Sequence, residues 1–355
     1  MVRRKRQITI KDLARKLDIS VSTVSRALRA APDVNPETKK RVLALAEELN
    51  YEPNVIASSL VNKRTRYIGV IVPELAMNFF SQAISEIQHE ARKAGYQVMI
   101  CQSDESYETE VEHVEGLIRS RVDGLIVSCS RETKDFTHFK KLIDKDIPLV
   151  FFDRMPSEPL TASSVIVDDF QGAYQATRHL IEQGCRRILH LSGPENLFIA
   201  QQRKKGFLKA VEDEGREDLL AFVLPCDALR QDAEENTCKA LEDIKPDGIF
   251  AISDPVALQV LGVLKEKRIS VPEQIKLVGF TDEPYNHLLS PALSSVCQPA
   301  DMLGKRAAQI VLEQIEAYFN DISPKINTRT ELVDTELRVR ASSCSAVFDK
   351  TGTCC

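Results

Sequence analysis

No hydrophobic run in this 355-residue sequence approaches the length needed to cross a bilayer, because charges or prolines interrupt every one. Met1 to Arg6 is basic like the start of an export signal, yet no apolar stretch follows before Lys11 and Asp12. No membrane partner is therefore expected, and the expected location is cytoplasmic. The nine cysteines include no paired two-residue spacing of the kind that holds zinc or forms a redox couple, so most read as small core residues. A phosphate-binding glycine loop, a metal-binding histidine pair and a nucleophile elbow are all missing, which argues against an enzyme and against a cofactor or metal. His190 and His287 read as satisfied structural groups. The end of the chain, from Ala346 to Cys355, lacks leucine heptads, so it gives no support for tetramerisation through a coiled coil.

What the sequence does contain is an ordinary globular balance, 43% hydrophobic and 28% charged, in a chain too long for one core. The net charge of −5 hides an asymmetry. Residues 1–66 carry 15 Lys/Arg against 7 Asp/Glu, while the remainder is acidic. A basic front on an acidic body localises attraction for a polyanion at one end, as nucleic-acid binding requires.

In that front, Ile10, Leu13, Ala14 and Leu17 form the apolar stripe of one helix. Ser20 is a good N-cap for a second, running from Val21 to about Arg29. Its Val24, Ala27 and Leu28 point one way, whereas Ser22, Ser25, Arg26 and Arg29 share the opposite, polar and basic face. Asn35 and Pro36 start a third helix, striped by Val42, Leu45, Ala46 and Leu49. The expectation is a small all-α helix-turn-helix head over residues 1–52.

The segments Ile8-Thr9-Ile10-Lys11-Asp12-Leu13-Ala14, Val21-Ser22-Thr23-Val24-Ser25-Arg26-Ala27-Leu28 and Leu49-Asn50-Tyr51-Glu52-Pro53-Asn54 resemble, in order and spacing, the lactose-repressor/galactose-repressor family. The resemblance implies that Val21, Ser22 and Arg26 read base edges in the major groove, arginine being suited to bidentate contact with guanine. It places Thr9, Ser20, Thr23, Ser25, Asn35 and Tyr51 against phosphates or behind the recognition helix. Two positions depart from the pattern: Asp18 stands where glycine is frequent and Arg29 where asparagine is. Asp tolerates left-handed backbone, so the turn survives; Arg29 adds a phosphate contact or alters operator preference.

Residues 53–65 read as a hinge. Asn54 to Val61 is long enough for two helical turns and too short to be stable alone, so it should order only on docking. By the family resemblance Leu60 is the wedge that enters the minor groove, aided by Asn54 and Ala57. Asn62 to Arg66 forms a basic connector beside the phosphate backbone.

From Tyr67 short β-rich runs alternate with helical stretches, and the pattern restarts at Ser164-Val165-Ile166-Val167. The expected α/β body, residues 66–343, is two doubly wound parallel-sheet lobes, similar to a type I periplasmic sugar-binding protein, with a tail over 344–355. Family-like crossings fall near Ala162, Val296 and Lys325, dividing lobe one (about 66–162 and 296–324) from lobe two (about 163–295 and 325–343).

Ligands of such folds bind between lobes at the carboxyl ends of strands. Polar residues after strands are therefore the effector candidates: Asp153 and Arg154, Ser253, Asp282, and Arg203, which matches the family's ligand arginine. Asp254 reads rather as a helix N-cap. Phe79 and Phe80 match an aromatic pair suited to a sugar face. Met77-Asn78 replaces the usual Asn-Pro before them, and Leu197 and Ile199 stand where purine-binding relatives use polar contacts, which disfavours a purine. Ala228 replaces a frequent aromatic, leaving room for a different ligand. The implied function is a sequence-specific regulator, a homodimer on a pseudo-palindromic double-stranded DNA operator, whose operator affinity is controlled by a sugar or sugar acid. The alternative is a cytosolic sugar-binding protein without regulatory DNA binding.

Overall fold

The structure, a computed structural model, describes residues 8–29, 31–49, 51, 64–226, 232–320 and 327–344. The chain divides into two compact units, residues 1–65 and 66–355.

In the first unit the three apolar stripes become helices α1 (Ile10–Leu17), α2 (Val21–Leu28) and α3 (Pro36–Glu48). Each start is fixed by a short polar side chain. The Asp12 carboxylate accepts from the Thr9 N–H and hydroxyl, Ser20 Oγ accepts from Thr23 N–H, and Asn35 Oδ1 accepts from Glu37 N–H. Such caps contribute about 1 kcal/mol each. Asp18 ends α1 in the left-handed region, φ 51°, so it performs the glycine's task in the turn. Leu13, Ala14, Val24, Ala27, Val42 and Ala46 close the core, with Leu28 and Tyr51 packed against it.

The second unit contains two six-stranded sheets. Sheet one is built from β1 (Tyr67–Val72), β2 (Gln97–Gln102), β3 (Gly124–Val127), β4 (Leu149–Phe152), β5 (Ser163–Val167) and β11 (Thr330–Val333), ordered β11-β5-β4-β3-β1-β2. Every pairing in it is parallel. Sheet two takes β6 (Arg187–Ser192), β7 (Leu220–Pro225), β8 (Gly248–Ala251), β9 (Lys276–Thr281), β10 (Ser294–Cys297) and β12 (Glu336–Arg338), ordered β12-β10-β9-β8-β6-β7. Only its β10–β12 pairing is antiparallel.

The helices between strands are α4 (Asn78–Lys93), α5 (Tyr107–Arg119) and α6 (Thr137–Ile143), then α7 (Asp169–Glu182), α8 (Phe198–Glu214), α9 (Asp232–Asp243) and α10 (Asp254–Glu266), and finally α11 (Ala300–Phe319). Two glycines set how closely they pack. A Cβ on Gly206 of α8 would overlap the Phe170 carbonyl oxygen of α7, and one on Gly304 of α11 would overlap that of Ala83 in α4. Both sites require backbone against backbone.

The lobe boundaries differ from the expected ones. Ser164 to Val167, read from the sequence as the first strand of lobe two, belongs to β5, which pairs with β4 and β11 in sheet one, so the first crossing follows Val167 rather than Ala162. The last lies between Val333 and Glu336 rather than near Lys325, because β11 still belongs to sheet one and β12 is the first return to sheet two. An apolar run carries no mark of which sheet it joins; that is decided by pairing at a distance. The middle crossing, between Cys297 and Ala300, falls close to the expected Val296.

Candidate effector cleft and nucleic-acid interface

Parallel strands gather their carboxyl ends on one edge of each sheet, and the loops leaving those ends enclose a cavity of about 210 Å³ between the lobes. Lobe one supplies Phe79 and Phe80 at the start of α4, Glu105 after β2, and Asp153 and Arg154 after β4. Lobe two supplies Leu197, Ile199 and Ala200 after β6, Arg203 on α8, and Ser253 after β8. Gln298, on the crossing after β10, completes the floor. Asn196 of lobe two donates a hydrogen bond to the Arg131 carbonyl of lobe one at 2.6 Å, joining the two walls.

The buried charges in this cleft are paired. Arg203 Nε donates to Asp169 Oδ1 at 2.8 Å and Nη1 to the Ile252 carbonyl at 2.6 Å, with the guanidinium over the Phe280 ring, 3.6 Å from its centre. Arg154 Nη1 reaches both Glu105 oxygens at 2.8 Å. Asp153, at φ 58°, receives only a long 3.3 Å hydrogen bond from Gln298. Burial pushes the Asp153 carboxyl above its ordinary range, opposed by Arg154 and Arg203.

Burial likewise raises Asp169 to about 6, against the pull of Arg203. An acid whose folded pKa is raised keeps a proton that the unfolded chain has released, so its contribution to stability falls as pH rises from about 4 to about 6, then levels. Urea unfolding should show this as a difference: replacing Asp169→Asn should remove up to about 1 kcal/mol per pH unit of decline across that window. Parallel pH profiles for parent and variant would contradict the assignment.

The structure brings Phe79, Phe80, Asp153, Arg154, Arg203 and Ser253 to the cavity but not Asp282. Both Asp282 oxygens are occupied, by Arg338 at 2.6 Å and Arg340 at 2.7 Å, and its neighbour Thr281 lines the wall instead. Phe80 is also a core residue, edge-on to Phe79 and Phe152. Asp254 does not cap α10. It accepts from Ser295 Oγ, Glu283 N–H and Asn286 Nδ2, fastening the loop after β9. Sequence reasoning missed Glu105, Asp169 and Gln298. Glu105 and Asp169 follow strands and were open to the same rule as Asp153; Gln298 follows Ser294-Ser295-Val296-Cys297, too polar to read as a strand.

On the head, Val21, Ser22, Arg26 and Arg29 are exposed, while Thr23 and Ser25 are half-buried. Arg29 is folded back on Ser25, whose hydroxyl accepts from Nη2 at 3.1 Å. Arg26 pairs with Asp33 at 2.9 Å, both near half exposure. A surface pair of this kind is worth about 0–1 kcal/mol, so Arg26 can exchange it for a base edge at little cost. Thr9, Ser20 and Asn35 are spent as helix caps, and Tyr51 donates its N–H to the Ala46 carbonyl at 2.8 Å. Asn54, Ala57, Leu60 and Ala228 lie outside the described residues. No helix among the described residues is long and apolar enough to cross a membrane.

A helix-turn-helix head and a two-lobed body enclosing a ligand-sized cleft are the parts that a DNA-binding transcriptional regulator with an effector-binding domain requires. Comparison with known proteins agrees. A model for bacterial regulatory proteins of the lacI family matches residues 9–54, and one for a periplasmic binding protein-like domain matches residues 177–343. The ribose operon repressor of Halalkalibacterium halodurans is 35% identical over 312 residues, 87% of this chain and 90% of that protein. The HTH-type transcriptional repressor PurR of Photobacterium profundum is 31% identical over 310 residues, 87% of this chain and 92% of its own. The solved lac repressor dimer bound to operator and the anti-inducer ONPF matches with a TM-score of 0.80 at 25% identity, over 96% of this chain and 100% of that one. The chain belongs to the lacI family of bacterial regulatory proteins.

Proposed function

We propose that the protein is a cytoplasmic, homodimeric repressor whose hold on a pseudo-palindromic operator is set by a sugar or sugar derivative bound between the lobes. The observation that carries the effector half is the cavity itself, where Asp153, Arg154 and Arg203 converge with Phe79 and Phe80 at strand ends. Hydroxyls of a sugar both donate and accept, which suits neighbouring carboxylate and guanidinium groups, and its C–H faces suit the aromatic and aliphatic wall. The ribose operon repressor among the relatives, a repressor of a sugar operon by its name, is consistent with this reading.

In the head, Val21, Ser22 and Arg26 read bases, Arg29 adds a phosphate contact or alters operator preference, and Thr9, Ser20, Thr23, Ser25, Asn35 and Tyr51 contact phosphates or brace the recognition helix. Two heads presented by a dimer match a two-fold operator. Effector binding changes the relative angle of the lobes, and with it the stability of the docked hinges carrying Asn54, Ala57 and Leu60. Thermal-shift screening of sugars followed by operator titration with each hit tests this. A stabilising sugar should change operator affinity several-fold; unchanged affinity with every stabilising ligand would overturn the coupling.

A further inference from the structure

We propose that the cleft selects an uncharged polyhydroxyl ligand and discriminates against the same molecule carrying a phosphate or a carboxylate. The proposal rests on reading the cleft as the effector site. Six charged side chains line it, Glu74, Glu105 and Asp153 against Arg131, Arg154 and Arg203, and Asp169 behind Arg203 tips the balance negative.

Two of the three arginines that line the cleft, Arg154 and Arg203, are already engaged with buried carboxylates. Arg203 spends its fork on Asp169 and the Ile252 carbonyl and its face on Phe280; Arg154 spends Nη1 on Glu105. Turning either toward a ligand anion would strand a buried carboxylate, which is the costly way to break such a pair. What is left over has the opposite preference. Asp153 is 6% exposed and holds only the long bond from Gln298, while Arg154 Nε, 3.9 Å from Asp153 Oδ2, makes no hydrogen bond. An acceptor and a donor side by side are satisfied together by hydroxyl groups.

An oxyanion in the same place meets Asp153 and Glu105, and like charges brought together at a buried contact are strongly disfavoured. Leu197, Ile199, Ala200, Ile252 and Pro255 give the lobe-two side of the wall an apolar stretch that suits C–H surface better than a charged group.

The test is isothermal titration of the full-length protein with a panel of pentoses and hexoses, each beside its terminal phosphate and its aldonate. At least one neutral sugar should bind, with its phosphate and aldonate at least about tenfold weaker. In Asp153→Asn that ratio should shrink. An anionic form binding as tightly as its neutral parent, or a ratio untouched in Asp153→Asn, would overturn the proposal. Silence across the whole panel would instead bring down the sugar reading of the cleft and this selectivity with it.

Discussion

Replacing Arg26→Ala is expected to cost about 1–3 kcal/mol per head on the preferred operator and almost nothing on unrelated duplex, so sequence preference should collapse. On a two-fold operator the loss is counted at both heads. The folded head should barely notice, because the only ion pair lost, to Asp33, is exposed. Arg64→Ala, on the basic connector, is the control. It should weaken every duplex alike and reduce the salt slope by about one counterion per head. Anisotropy titrations of operator and scrambled duplex at several salt concentrations separate the two. Full discrimination retained in Arg26→Ala would remove Arg26 from the base-reading role.

Arg203→Ala should be the most damaging single change in the body, with a loss of about 3–5 kcal/mol of unfolding free energy near neutral pH. The deletion leaves Asp169 buried without its cation and opens space against Phe280. Lowering the pH should return part of that stability, because Asp169, already raised to about 6 with the arginine present, then sheds its charge by protonation. Removing both partners, as Arg203→Met with Asp169→Leu, should recover most of the lost stability. Response to the effector should stay absent in both variants. Recovery of the response along with stability would mean that Arg203 serves the fold alone.

The head was legible because its three stripes repeat at helical spacing and its caps are local, so nothing beyond eight or so neighbouring residues decides them. Strands β1 to β9 were legible as apolar runs for the same reason. The lobe boundary was not, since Ser163–Val167 reads the same whether it joins sheet one or sheet two. Nor were β10, β11 and β12, where serine, threonine, glutamate and arginine interrupt any pattern and the strands exist by pairing with distant partners. In the cleft, placing polar residues at strand ends found Asp153, Arg154 and Ser253. The same rule overreached at Asp282, because a sequence does not reveal that Arg338 and Arg340, more than fifty residues on, arrive to occupy both oxygens. It also left out the partners, Glu105 and Asp169, that decide how much of each arginine remains for a ligand.

The most direct measurement of the central claim is a closed thermodynamic cycle on the dimer: sugar affinity with and without bound operator, and operator affinity with and without bound sugar. If one equilibrium of the body governs the heads, the two factors must agree in size and sign, at several-fold or more. A sugar that binds with the same affinity whether or not the operator is present would contradict it.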